Sequence, residues 1–141
     1  MEIKLKKISL FLITLFVLSL TACSGQASAS ISGEWTLASY GDASNPAPAV
    51  PDVETSVSFD DKGQFGGSVG CNSFGSEYKV DGDKITFGSI ISTMMYCEET
   101  SSQESVVLGI LSDKTINYQV EGDELKITSS DGASVVVLVR K

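Results

Sequence analysis

Histidine is missing from all 141 residues. That single absence removes Ser-His-Asp and Cys-His nucleophile pairs, HExxH metal sites and His-ligated zinc. Positive charge is scarce as well: 10 Lys and Arg stand against 18 Asp and Glu, a net of −8. A nucleic-acid partner needs a basic face, and this balance argues against one. Only three cysteines occur, none arranged as CxxC, so a thioredoxin-like redox site is not expected. Aromatic residues make up 8% of the chain, and two of the six Phe (Phe11 and Phe16) lie in the N-terminal segment, which leaves few large side chains for a core. Hydrophobic residues nonetheless amount to 42%, which argues against wholesale disorder, and the length fits one domain.

What is present begins with a targeting pattern over residues 1–22. Lys4, Lys6 and Lys7 form a positive n-region, and the uncharged run Ile8 to Ala22 follows, rich in Leu, Ile, Phe and Val. This run falls short of the roughly 20 residues that a membrane-crossing helix needs. It closes in Leu20-Thr21-Ala22-Cys23, which resembles the lipobox of bacterial lipoproteins. That resemblance implies cleavage before Cys23 and acylation of its sulfur, palmitate being the usual label, so that the protein is membrane-anchored through lipid. An ordinary signal peptide, or an uncleaved anchor with Cys23 as a buried apolar residue, are the alternatives. Two acyl chains hold a protein durably at a membrane where one does not. Residues 23–30 then read as the lipidated cysteine and a flexible Gly/Ser/Ala tether. The expected location is the cell envelope, on the outer side of the cytoplasmic membrane or in the outer membrane. In enteric-type bacteria Ser24, in place of aspartate, implies the outer membrane. Without residues 1–22 the chain keeps 7 basic and 17 acidic side chains. Anionic headgroups repel such a surface, so the domain is not expected to lie flat on the bilayer.

From residue 31 onward apolar residues alternate with polar ones between Asp/Gly clusters. Gly33 to Leu37 reads as a first strand with Trp35 and Leu37 on one face, and Gly41 to Asp52, which holds all three prolines, reads as a surface loop. Val57 and Phe59, Phe65 and Val69, Tyr78 and Val80, Ile85 and Phe87, Ile116 to Val120, and Leu125 and Ile127 continue the alternation. Asp60–Gly63, Asp81–Asp83, Glu121–Asp123 and Ser130–Gly132 supply hairpin turns. The last strand, Ser134 to Val139, is apolar on both faces and should be covered on both. One helix is expected from about Ser102 to Ser112. Ser101-Ser102-Gln103-Glu104 matches a capping box, and Val107, Leu108 and Leu111 share a face with Ile110 at its edge. A short strand over Val106 to Leu111 is the competing reading. The fold class is mainly β (α+β), an antiparallel meander.

If Cys23 is lipidated, Cys71 and Cys97 remain. An even count in an exported chain favours a disulfide, which for this loop length is worth about 3.5 kcal/mol. Two buried free thiols, a redox sensor or a metal site are the alternatives. Gly66, Gly67 and Gly70 suggest a strand that bends sharply or is passed closely by another backbone. Asn72 suits a left-handed turn or bonding to nearby backbone. Met94, Met95 and Tyr96 either form an apolar lip beside the disulfide or contribute at least one side chain to the core.

Gly33-Glu34-Trp35-Thr36-Leu37, Val57-Ser58-Phe59, Gly66-Gly67-Ser68-Val69-Gly70-Cys71-Asn72-Ser73-Phe74 and Ser92-Thr93-Met94-Met95-Tyr96-Cys97 together resemble a META domain. This is the domain of HslJ-like bacterial proteins, and the resemblance covers nearly all of residues 31–141. Its motif falls on Gly33, Trp35, Gly70, Cys71, Asn72, Thr93, Met95 and Cys97. Met94 departs from it, since many members carry a basic residue there. The resemblance implies a strongly bent antiparallel sheet or partial barrel with one packed helix. It carries no agreed catalytic residues, and it links members to stress response and to envelope lipoproteins.

Catalysis is not expected, because the carboxylates sit in turns and nothing pairs two of them across a cleft. No cofactor and no metal is expected either, and no DxDxDG calcium spacing occurs. A stress-related structural or interaction module that touches an envelope protein partner is the favoured reading. A carrier of a small apolar ligand in the mouth of a half-open barrel is the other. A packed interior with an exposed apolar patch would favour the first, and a cavity the second.

Overall fold

A computed structural model of the chain describes residues 30–141. The expected signal peptide, Cys23 and most of the tether therefore lie outside the described residues. The chain forms β1 (Gly33–Asp42), β2 (Ala47–Pro48), β3 (Ser56–Phe59), β4 (Gln64–Ser68), β5 (Ser73–Asp81), β6 (Lys84–Phe87) and β7 (Ile91–Ser92). After these come α1 (Ser101–Leu111), β8 (Thr115–Glu121), β9 (Glu124–Thr128) and β10 (Ser134–Arg140).

Eight of these strands pair antiparallel in chain order, β1-β3-β4-β5-β6-β8-β9-β10, and β10 returns to pair with β1. The meander is thus a closed barrel, which corrects the expectation of a partial one. Closure rests on a long seam from Trp35↔Arg140 to Asp42↔Ser134, and a pairing between the two ends of the chain leaves no mark in local periodicity. It also abolishes the exposed edges an open sheet would carry. A register shift between Leu37 and Ser39 lets β1 bend along the seam. The same seam extends β1 to Asp42, beyond its expected end at Leu37. Within the expected surface loop, Ala47 and Pro48 add a two-residue strand on the outer edge of β1.

Inward-facing side chains fill the barrel. Trp35, Ile85, Leu125, Ile127 and Val136 are fully buried, and Phe59, Phe65 and Phe87 are nearly so. The phenylalanine rings pack against one another at a tilt, with centroids 4.9 Å apart for Phe59–Phe65 and 4.8 Å for Phe65–Phe87. Tyr78 meets Phe59 edge-on at 5.1 Å. Val107 and Leu111 of α1 join the same core, so the helix plugs one end of the barrel. In β10, Val136 and Leu138 face this core while Val135 on the other face is also buried. The expected cover on both faces therefore holds at that end of the strand, and it fails at exposed Val139.

The expected Asp/Gly turns are present, with Gly63, Gly82, Gly122 and Gly132 at positive φ. Gly67 has a sharper reason to be glycine: a Cβ there would stand 1.9 Å from the Ser56 carbonyl oxygen on β3. The close approach of a neighbouring backbone is thus the correct reading of the Gly66-Gly67 pair.

Candidate functional site

The two ends of the barrel differ. Gly33 and Trp35 lie at the end where the described chain starts. Trp35 Nε1 donates to the Ile31 carbonyl at 2.8 Å, and the Arg140 guanidinium lies over its ring at 4.2 Å. Arg140 also donates to the carbonyls of Ser30 and Ser32 at 3.1 and 3.2 Å, which fixes the point where the tether would leave the domain.

The remaining motif residues, Gly70, Cys71, Asn72, Thr93, Met95 and Cys97, converge at the opposite end, beside α1. Cys71 and Cys97 are disulfide-bonded, with Cα atoms 6.2 Å apart. The residue after Cys71 does most to shape the surface. Asn72 Oδ1 accepts from the Met95 backbone N–H at 2.7 Å and from the Thr93 hydroxyl at 2.9 Å, while Nδ2 donates to the Met95 carbonyl at 2.9 Å. Asn72 is 7% exposed and serves as a backbone-bonding residue; the alternative of a left-handed turn does not apply, since its φ is not positive. Thr93 closes the arrangement from the other side: its N–H donates to the Ser73 carbonyl and its hydroxyl accepts from the Ser73 N–H.

Two polar residues of α1 that the sequence reading did not place here complete the site. Glu104 is 8% exposed. Its carboxylate accepts from the backbone N–H groups of Cys71 and Asn72 and from Asn72 Nδ2, the last at 2.7 Å. The capping box is therefore corrected. Thr100 holds the N-cap without a side-chain cap bond, and Glu104 reaches across to the 71–72 backbone, where buried N–H groups need an acceptor. Gly70 leaves room for it, since a Cβ there would stand 2.8 Å from Glu104 Oε1. Gln103, 1% exposed, accepts from the Val50 N–H at 2.8 Å and donates to the Val69 carbonyl at 2.6 Å, joining the proline loop to the end of β4. A signal for both existed. Four residues before Val107 and Leu108, on the same apolar face, stand Gln103 and Glu104, and polar groups on a buried face must find partners.

On this fixed backbone the side chains point outward. Ile91, Met94, Met95 and Tyr96 are 79, 96, 60 and 81% exposed. None of Met94, Met95 and Tyr96 fills the core, so the apolar lip is the correct reading. A groove of about 380 Å³ runs between the lip and α1, lined by Thr93, Met95, Tyr96, Ser105 and Leu108 among others. Charge is uneven too. Glu98 and Glu99 follow the lip, and Asp42, Asp113 and Asp131 stand at the same end of the barrel. Hydrogen bonds from the hydroxyl of Ser44, and from that of Ser129, hold the carboxyls of Asp42 and Asp131 below their ordinary value. Of the described basic residues, Lys62, Lys79, Lys84, Arg140 and Lys141 lie toward the other end, Lys126 is mid-wall, and Lys114 alone sits near the helix. Among the described residues no three His, Cys, Asp or Glu side chains cluster so as to hold a metal.

A small closed barrel, plugged at one end by a helix that bears a disulfide-pinned loop, is the class these features define. A family model for the META domain matches residues 28–141, and the chain belongs to that family. No curated protein matches it. Among solved structures it is similar to a protein from Burkholderia xenovorans, at 20% identity over 86% of this chain and 97% of that one, with a TM-score of 0.61. It is also similar to a DUF4847 family protein from Bacteroides vulgatus, at 16% identity over 78% and 93% of the two chains, with a TM-score of 0.56. At these identities the likeness concerns the fold.

Proposed function

We propose that the protein is a lipid-anchored envelope module that works by contact, without chemistry, and that its contact surface is the 91–96 lip. The observation that carries this reading is a rigidly held backbone under fully offered side chains. Asn72, Thr93, the short β7 pairing and the disulfide fix the segment, yet its apolar side chains are the most exposed large ones among the described residues. Such preorganisation lowers the ordering cost of association. The filled interior supports contact over carriage of a ligand in the barrel mouth. The anchor rests on the lipobox pattern at Cys23, and the stress association on the family resemblance.

The contact reading is tested with a photo-cross-linking amino acid at position 96 in cells, compared with exposed position 79 on the barrel wall. A discrete adduct at 96 and none at 79 is the expected result. Equal or absent labelling at both sites overturns the reading. Radiolabelled palmitate tests the anchor, which fails if wild type and Cys23→Ala incorporate it equally.

A further inference from the structure

The chemistry of the lip and its border narrows the kind of partner, provided that the contact reading above holds. Met94 and Met95 offer long, polarisable side chains that adapt to varied apolar surfaces, and Tyr96 offers a large amphipathic ring. Immediately behind them Glu98 and Glu99 are both exposed, and neither forms an ion pair among the described residues. Between Lys84 and Lys114 the chain contains no basic residue at all. An apolar platform with an acidic border is complementary to a segment that carries apolar anchors and cationic flanks.

Two other occupants fit less well. A second copy of this chain would bring Glu98 and Glu99 of both molecules together, and like charges across an interface oppose association. An anionic lipid surface would be repelled by the same border. The lip also lies at the barrel end opposite Ser30, so an anchor reached through residue 30 attaches at the end far from it. We propose that the lip docks a cationic amphipathic segment of an envelope protein, with apolar anchors on Met94, Met95 and Tyr96 and with lysines or arginines over Glu98 and Glu99.

The test uses the protein purified from cells that express the full chain, in zwitterionic nanodiscs or, if it purifies without lipid, in buffer. The medium alone serves as the blank. The probe is a fluorescent amphipathic peptide of leucine and lysine, about four helical turns long, read by anisotropy. Saturable binding is expected. Met94→Ser/Met95→Ser/Tyr96→Ser should weaken it at least about tenfold. Glu98→Gln/Glu99→Gln should weaken it about threefold or more and flatten its salt dependence. Asp81→Asn/Asp83→Asn, which removes equal charge at the other end, should leave it within about twofold. If all three variants bind alike, the attraction is diffuse charge and the proposal falls. It also falls if the same peptide with glutamate for lysine binds as well, or if lip-dependent binding is found only to anionic vesicles. Absent peptide binding together with a discrete adduct at position 96 overturns the cationic chemistry and leaves the contact reading standing. Absence of both overturns both.

Discussion

Replacing Glu104 by glutamine exchanges one oxygen for an amide nitrogen and so reverses a single hydrogen bond. If the new Oε1 keeps the two backbone N–H groups of Cys71 and Asn72, its Nε2 must face Asn72 Nδ2, donor against donor, across a contact now 2.7 Å long. If the glutamine amide turns over, those two backbone donors lose their acceptor. Asn72 cannot relieve the conflict by rotating, because its Oδ1 accepts from Met95 N–H and Thr93 Oγ1 while its Nδ2 donates to the Met95 carbonyl. One bond to a charged acceptor is lost and the other two become neutral, which costs about 2–3 kcal/mol. Glu104→Ala strands three donors at a position only 8% exposed and should cost about 4 kcal/mol. Urea denaturation reads both as a lowered midpoint at unchanged slope. The Met95 amide, held by Asn72, should exchange hydrogen faster in both variants. A glutamine variant within about 0.5 kcal/mol of wild type would refute the reasoning, since the carboxylate would then not be holding Asn72. Equal losses for glutamine and alanine would do the same, because they would mean that packing alone is at stake.

Thiol titration of the denatured, unreduced protein should find neither Cys71 nor Cys97 free. Cys71→Ser/Cys97→Ser should lower stability by about 3.5 kcal/mol on chain entropy for a separation of 26 residues, and a loss below about 1 kcal/mol would contradict it. Gly67→Ala forces β3 and β4 apart at the Ser56 carbonyl, and should cost more than about 3 kcal/mol by thermal or urea unfolding; a neutral outcome would mean that the ladder yields there. Burial, aided by the charges of Asp60 and Asp61, raises the Tyr78 phenol above its ordinary value. A folded value raised above the unfolded one means that the neutral phenol supports folding below about pH 10, and that this contribution is lost as pH climbs through the folded value. Phenolate absorbance should accordingly show a late ionisation step that Tyr78→Phe lacks, and persistence of that step in the variant would assign it elsewhere.

The strands were legible because each hairpin is a local event. Period-two alternation and an Asp/Gly turn suffice to place the hairpins β3–β4, β5–β6, β8–β9 and β9–β10, and Trp35 and Leu37 face the core as the alternation requires. Barrel closure was not legible, since Trp35 and Arg140 meet only when everything between them is in place. The helix was legible, and its start was found within a residue. The role of Glu104 was lost because a local rule, the capping box, accounted for it fully, although its true partners lie more than 30 residues away. Asn72 was expected to bond backbone, but the chain it grips, at Met95, is 23 positions on. The six motif residues near α1 are thus scattered in sequence and gathered by two long-range devices, a disulfide and a buried carboxylate.

Those devices bear on whether the lip is exposed by accident. Single apolar residues on a surface need no explanation, and Val80, Val106 and Val139 at 36–39% exposure are of that kind. Four large apolar side chains within six residues, all at least 60% exposed, are not. Ordering each residue's backbone costs about 1–2 kcal/mol, which buried side chains normally offset. Here the lip side chains bury little, so the cost falls on Asn72, Thr93, Glu104 and the disulfide. Left to the hydrophobic effect alone, the segment would fold its methionines inward or stay loose. Holding it outward requires polar partners, and the chain supplies them from three separate segments, around Asn72, Thr93 and Glu104. Stability accounts for the disulfide and for Glu104 on its buried donors, but not for large apolar side chains turned to water, which the proposed contact surface would use as a platform already in its binding conformation.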